Sequence, residues 1–94
     1  MSKQFNNVTE ALQPEPAFRC PCCRFKTLRG RGQDDICAVC FWEDDGQDDH
    51  DANEVRGGPN GTLSLSRARD NFTAFGAIDR KHLPNVRQPL PNEV

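Results

Sequence analysis

The chain has 94 residues, of which 35% are hydrophobic and 28% are charged, and its formal net charge is −2. This length fits a single domain, and so short and polar a chain buries a small core that ordinarily needs a disulfide or metal cross-link. The polar start, MSKQFNNVTEALQPEP, lacks the apolar segment of a signal peptide, and no stretch is apolar enough for a membrane span. We therefore expect a cytoplasmic protein with reduced thiols and no membrane contact.

The domain organisation follows from composition along the chain. Residues 1–16 are polar and end in prolines, which predicts a flexible N-terminal arm. A metal-binding domain is expected over residues 17–89, and residues 90–94 are expected to form a C-terminal tail. Three prolines in LPNVRQPLPNEV predict an extended end of the chain without strand pairing.

Five cysteines lie between residues 20 and 40, and their odd number fits poorly with a disulfide scaffold. Four of them form two C-x2-C pairs, Cys20 with Cys23 and Cys37 with Cys40, separated by thirteen residues. Two residues between cysteines allow a tight knuckle, and two knuckles supply the four thiolates of a closed tetrahedral site, which suits Zn²⁺. These four cysteines are therefore the predicted zinc ligands.

The thirteen residues between the pairs predict a β-hairpin. Residues 25–28 and 34–36 are the expected strands, with Gly30 and Gly32 in the turn. One helix is predicted after the glycine-rich loop at residues 57–61, beginning after Ser64 as N-cap and ending before Gly76. The predicted fold class is a small α+β protein: a zinc ribbon of two knuckles and a hairpin, with one C-terminal helix packed on it.

Cys22 lies between two predicted ligands, and two interpretations of it stay open. It is either a spectator beside the metal, which we favour, or a redox-active thiol in a metal-handling protein. A catalytic zinc keeps an open coordination position, whereas four sulfurs close the site, and no H-E-x-x-H motif occurs. We therefore expect no enzymatic activity.

An acidic run, EDDGQDDHD, follows the second knuckle directly. It could be an inert solvated loop, a calcium loop that lacks the expected glycine and glutamate, or a docking face for a basic protein. Trp42 at its root could be a binding hot spot, although packing in the core is the favoured role. The carboxylates of Asp44, Asp45, Asp48 and Asp49 are expected to face solvent. The candidate partner-binding residues are Trp42, Glu43, Asp44, Asp45, Asp48, Asp49 and Asp51.

A basic cluster on the first knuckle and hairpin favours a different partner. It comprises Arg19, Arg24, Lys26, Arg29 and Arg31, and many zinc ribbons contact nucleic acid through such residues. However, the sequence pI is about 5.6, well below that of a typical nucleic-acid-binding domain. Nucleic acid is therefore the less favoured partner, and these side chains could instead pair with the acidic run.

The conjunction of CPCC, CAVCFWEDDG, GGPNGTLSLSRARDNFTAFGA and a late RQP resembles the bacterial cysteine-rich CPCC family, over about residues 18–89. The resemblance implies a small zinc-binding domain with Cys20, Cys23, Cys37 and Cys40 as ligands, and it implies no catalytic residue. Similar small bacterial proteins serve as immunity proteins. The resemblance therefore favours a toxin-neutralising module that binds a basic protein.

Overall fold

Two short strands, β1 (Phe18–Arg19) and β2 (Lys26–Leu28), pair antiparallel in a computed structural model that describes residues 18–94. The register places Phe18 opposite Leu28 and Arg19 opposite Lys26, with an irregularity between the two pairs. The first cysteine pair therefore forms the tip of this hairpin. The predicted arm at residues 1–16 lies outside the described residues.

The predicted hairpin between the two cysteine pairs is wrong in its pairing. Residues 26–28 form a strand as expected, but their partner precedes the first knuckle instead of following it. Ile36, expected in the second strand, instead pairs with Glu43 in an isolated antiparallel bridge. Each C-x2-C pair is thus held at the end of its own hairpin, because the chain reverses at the knuckle itself.

Helix α1 (Leu65–Phe75) has both predicted ends. The Ser64 side chain accepts a hydrogen bond from the Arg67 backbone N–H at 3.0 Å, and Gly76 closes the helix in the left-handed region at φ 95°. Leu65 and Ala68 are fully buried against the cysteine cluster. The helix therefore packs on the ribbon, as predicted, through the face that carries Leu65 and Ala68.

The C-terminal segment is less extended than expected, because Arg80–Asn85 and Pro91–Glu93 form short 3₁₀ helices. The Arg87 backbone N–H donates to the Ala38 carbonyl at 3.1 Å, and its guanidinium forms a two-armed ion pair with the buried Glu93 carboxylate. The last residues therefore pack on the second knuckle and on β2.

The core is small and centred on sulfur. Its fully buried large side chains include Trp42, Leu28 and Leu65, and they surround the cysteines. This arrangement confirms a small α+β fold of ribbon-like knuckles with one packed helix. Among residues 18–94, no helix has the length and apolar character needed to cross a membrane.

Candidate metal centre

The two knuckles have nearly the same backbone hydrogen bonds. In the first, the Arg24 N–H donates to the Cys20 carbonyl at 2.8 Å, and in the second the Phe41 N–H donates to the Cys37 carbonyl at the same distance. Arg24 and Phe41 also share a positive φ, 73° and 76°. The left-handed residue after each C-x2-C pair turns the chain sharply enough for both sulfurs to point the same way.

The four predicted ligands converge in the core. The Sγ atoms of Cys20, Cys23, Cys37 and Cys40 all lie within 4.8 Å of one another, and Cys20–Cys40 and Cys23–Cys37 are 3.6 Å apart. A tetrahedron with zinc–sulfur bonds of about 2.3 Å has edges of about 3.8 Å, so these spacings fit a four-sulfur metal site. They are far too long for disulfides, whose sulfurs lie about 2.05 Å apart.

Hydrogen-bond donors surround three of the four sulfurs. The Cys22 and Val39 N–H groups donate to Cys20 and Cys37, each at 3.4 Å, and the Trp42 N–H donates to Cys40 at 3.5 Å. In addition, the Thr27 hydroxyl donates to Cys37 Sγ at 2.9 Å. Such donors stabilise thiolates and orient them toward a cation.

The four thiols also shift one another's pKa values. Hydrogen bonds from Cys20, Cys23 and Cys40 strongly lower the pKa of Cys37. The pKa of Cys20 is raised, chiefly by Cys23, and that of Cys40 is raised, chiefly by Cys20. The contact between Cys23 and Cys20 lowers the pKa of Cys23, but contacts with Cys37 and Cys40 raise it, and the pKa of Cys23 is raised overall. These opposite shifts arise because the four sulfurs lie close enough together in a buried space for each to affect the charge on the others.

Cys22 is buried and unbridged, with 6% of its surface exposed. It is not among the four cysteines whose sulfurs converge, which agrees with its predicted position beside the metal site. Within residues 18–94 this set of four is the one cluster of His, Cys, Asp and Glu side chains close enough to hold a metal ion. The acidic run accordingly supplies no second cluster there.

Asp44 contradicts the expectation that the acidic run faces solvent. Its side chain is fully buried and accepts hydrogen bonds from Arg31 Nε and the Gly32 N–H, both at 2.8 Å, and from the Gly46 N–H at 3.1 Å. A buried carboxylate with three donors, one of them cationic, is a structural element. Asp44 therefore fixes the linker between the knuckles to the acidic run.

Other acidic side chains of the run also bind within the molecule. The Asp48 carboxylate accepts a hydrogen bond from Arg31 at 2.8 Å, and this bond is the main cause of the lowered pKa of Asp48. Asp48 also caps the 3₁₀ helix Asp49–Asp51. Asp49 accepts from Arg24 at 3.1 Å and from Arg69 at 2.7 Å, and Asp51 is buried and paired with Arg56. Arginines from the linker, the loop and α1 thus neutralise most of the run.

The predicted partner face is corrected accordingly. Trp42 is fully buried, as are Asp44 and most of Asp51, so these three cannot form an exposed surface in this conformation. Glu43 and Asp45 are half-buried, and within residues 18–94 neither carboxylate forms an ion pair. Of the predicted basic cluster, Arg24 and Arg31 pair with the run, as the internal alternative predicted. The side chains of Arg19, Lys26 and Arg29 form no ion pair within residues 18–94.

Sequence reasoning missed two residues that shape the site. Thr27, one residue before a buried leucine in β2, donates to Cys37, and its place in a strand gave no indication of this role. Arg69 on α1 donates to the Pro21 carbonyl at 2.8 Å and so connects the helix to the first knuckle. Arg69 lies one helical turn after Leu65, and this position beside a buried residue was the available signal.

The chain belongs to the cysteine-rich CPCC family, whose model matches residues 18–93. The match extends beyond the predicted domain end at residue 89 and includes Glu93, which pairs with Arg87. No curated protein and no solved structure matches the chain. The family and the cysteine cluster together indicate a metal-binding module.

Proposed function

We propose that this member of the cysteine-rich CPCC family is a zinc-stabilised binding module without catalytic activity. The observation that carries the proposal is the convergence of four buried sulfurs on one tetrahedral space. Four thiolates suit Zn²⁺ and leave no coordination position for water or substrate, which is the arrangement of structural zinc sites. A bound zinc would also supply the cross-link that so small a core needs.

Metal analysis of purified variants tests this proposal. The chain should hold one zinc, Cys22→Ser should keep it, and Cys37→Ser should lose both the metal and the folded state. A structural zinc contributes about 10–16 kcal/mol of apparent binding free energy, which exceeds the stability of a domain of this size. Equal zinc content in the two variants would contradict the ligand assignment.

We further propose that the partner is a basic protein, and more specifically a toxin that the module neutralises. Support comes from the formal charge of −2, to which four thiolates around a Zn²⁺ ion add two negative charges. Glu43 and Asp45, whose carboxylates form no ion pair within residues 18–94, and the exposed Asp49 would carry the contact. The acids that are buried would act indirectly by holding this loop in place.

Affinity purification at low and high salt, followed by titration of the recovered partner, tests the basic-protein proposal. Neutralising Glu43 and Asp45 should slow association, and added salt should mimic the change, because charges are screened beyond about 8–10 Å at ordinary ionic strength. Neutralising the exposed Asp34 and Asp70 removes the same charge elsewhere and serves as the control. Tight binding to a polynucleotide at physiological salt, lost when Arg19, Lys26 and Arg29 are neutralised, would instead favour the nucleic-acid alternative.

A further inference from the structure

The two knuckles differ in the hydrogen bonds that one of their ligand sulfurs accepts. In the second knuckle the Trp42 N–H, two residues after Cys40, donates to the Cys40 sulfur at 3.5 Å. The equivalent donor in the first knuckle is the Phe25 N–H, two residues after Cys23, and it makes no such bond. Within residues 18–94, Cys23 is thus the one ligand whose sulfur accepts from neither a backbone N–H nor a hydroxyl group.

The same sulfur belongs to the most accessible ligand. Cys23 has 8% of its surface exposed, whereas Cys20, Cys37 and Cys40 have none. Cys37 is the opposite extreme, because it is fully buried and accepts hydrogen bonds from both Val39 and Thr27. Access and hydrogen bonding therefore both distinguish Cys23 from the other three ligands.

We propose that Cys23 is a modification site, the metal-bound thiolate that reacts first with electrophiles and peroxides, and that its modification releases the metal. This inference rests on the proposed zinc site. Hydrogen bonds to a thiolate withdraw electron density from sulfur and lower its nucleophilicity, and attack also requires access to the sulfur. The ligand without such donors and with some exposure reacts fastest.

The reaction with hydrogen peroxide balances without a further reactant. The Cys23 thiolate attacks one peroxide oxygen, a sulfur–oxygen bond forms, the oxygen–oxygen bond breaks, and hydroxide leaves. Sulfur is oxidised to a sulfenic acid while the peroxide is reduced. The uncharged sulfenic acid is a weaker ligand than the thiolate, so the site loses one of its four anionic donors and zinc affinity falls.

Limited labelling of the zinc-loaded full chain tests the inference. After metal analysis confirms one zinc per chain, less than one equivalent of N-ethylmaleimide is added, and peptide mass spectrometry locates the adduct while a chromogenic chelator reports zinc release. We expect the first adduct at Cys23, with zinc released in step. The same labelling of the Cys22→Ser variant, which should keep its zinc, excludes the thiol that is not a ligand. In this variant a first adduct at Cys20, Cys37 or Cys40 would overturn the inference and leave the proposed zinc site intact, whereas a chain that binds no zinc would overturn both.

A matched pair of ligand variants gives an independent readout. Cys23→His and Cys40→His each replace one thiolate with a nitrogen ligand, which zinc also accepts. Zinc release by hydrogen peroxide should slow by about tenfold or more in Cys23→His and stay near the wild-type rate in Cys40→His. Equal release rates in the two variants would contradict the inference. If either variant fails to hold zinc, the adduct position in the wild-type chain decides.

Discussion

Replacing Asp44 with asparagine tests whether the acidic run is internal structure or a solvated loop. Asp44 is fully buried and accepts one hydrogen bond from Arg31 and two from the backbone of Gly32 and Gly46. Asparagine keeps the shape but removes the charge, and its amide N–H group replaces one accepting oxygen. At least one donor then faces another donor in the protein interior.

The magnitude follows from these contacts. A hydrogen bond to a charged group contributes about 1.5–3 kcal/mol, and a buried donor left without a partner costs about 1–3 kcal/mol. The electrostatic attraction between Asp44 and Arg31 contributes little more, because the Arg31 side chain is 32% exposed and keeps Asp48 as a partner. We therefore expect Asp44→Asn to lower the free energy of unfolding by about 2–3 kcal/mol, which shifts the melting temperature by about 10–20 °C in a domain of this size.

Thermal unfolding followed by circular dichroism, with equal zinc content verified beforehand, measures this shift. Asp49→Asn is the matched control, because the Asp49 side chain is 71% exposed although it accepts from Arg24 and Arg69. The control should unfold close to the wild-type temperature. If the two variants unfold at the same temperature, the buried role of Asp44 is refuted and the solvated-loop interpretation stands.

Three further predictions concern the metal ligands and the helix end. Thr27→Val removes the hydroxyl that donates to Cys37 but keeps the side-chain shape. It should weaken zinc affinity by about 10–100-fold in a chelator competition. An unchanged affinity would show that this hydrogen bond does not support metal binding. Zinc binding should release protons near neutral pH, because the pKa is raised for Cys20, Cys23 and Cys40, although it is lowered for Cys37. Zinc affinity should therefore fall as pH falls, and calorimetry in buffers of different ionisation enthalpy measures the proton release; an affinity that does not change with pH would contradict a site of cysteine thiolates. Gly76→Ala should cost about 1–2 kcal/mol in chemical unfolding through backbone strain at φ 95°, since nothing lies within 4 Å of the added carbon, and an unchanged midpoint would contradict this left-handed end.

The metal ligands and the helix were predictable because their signals are local. The C-x2-C spacing restricts how two sulfurs can face one cation, and the knuckles have this local geometry at both pairs. Ser64 and Gly76 likewise act within one helical turn of the residues that they cap. Each of these predictions required only contacts between residues close in sequence.

Strand pairing and the role of the acidic run were not predictable in the same way. The observed strands have two and three residues, too few for an alternating pattern to select a partner. Asp44 is buried because Arg31, thirteen positions earlier, folds back over it. Acid content alone indicates solvent exposure, and the compensating donors become visible only once the linker between the knuckles is placed in three dimensions.

X-ray absorption at the zinc edge tests the central claim most directly, because it reports the atoms bound to the metal in the intact protein. Four buried cysteines, Cys20, Cys23, Cys37 and Cys40, converge on one space. The spectrum of the purified chain should therefore show four sulfur neighbours at about 2.3 Å and no nitrogen or oxygen neighbour. A coordination sphere that contains nitrogen or oxygen, or fewer than four sulfurs, would contradict a closed structural site formed by these cysteines.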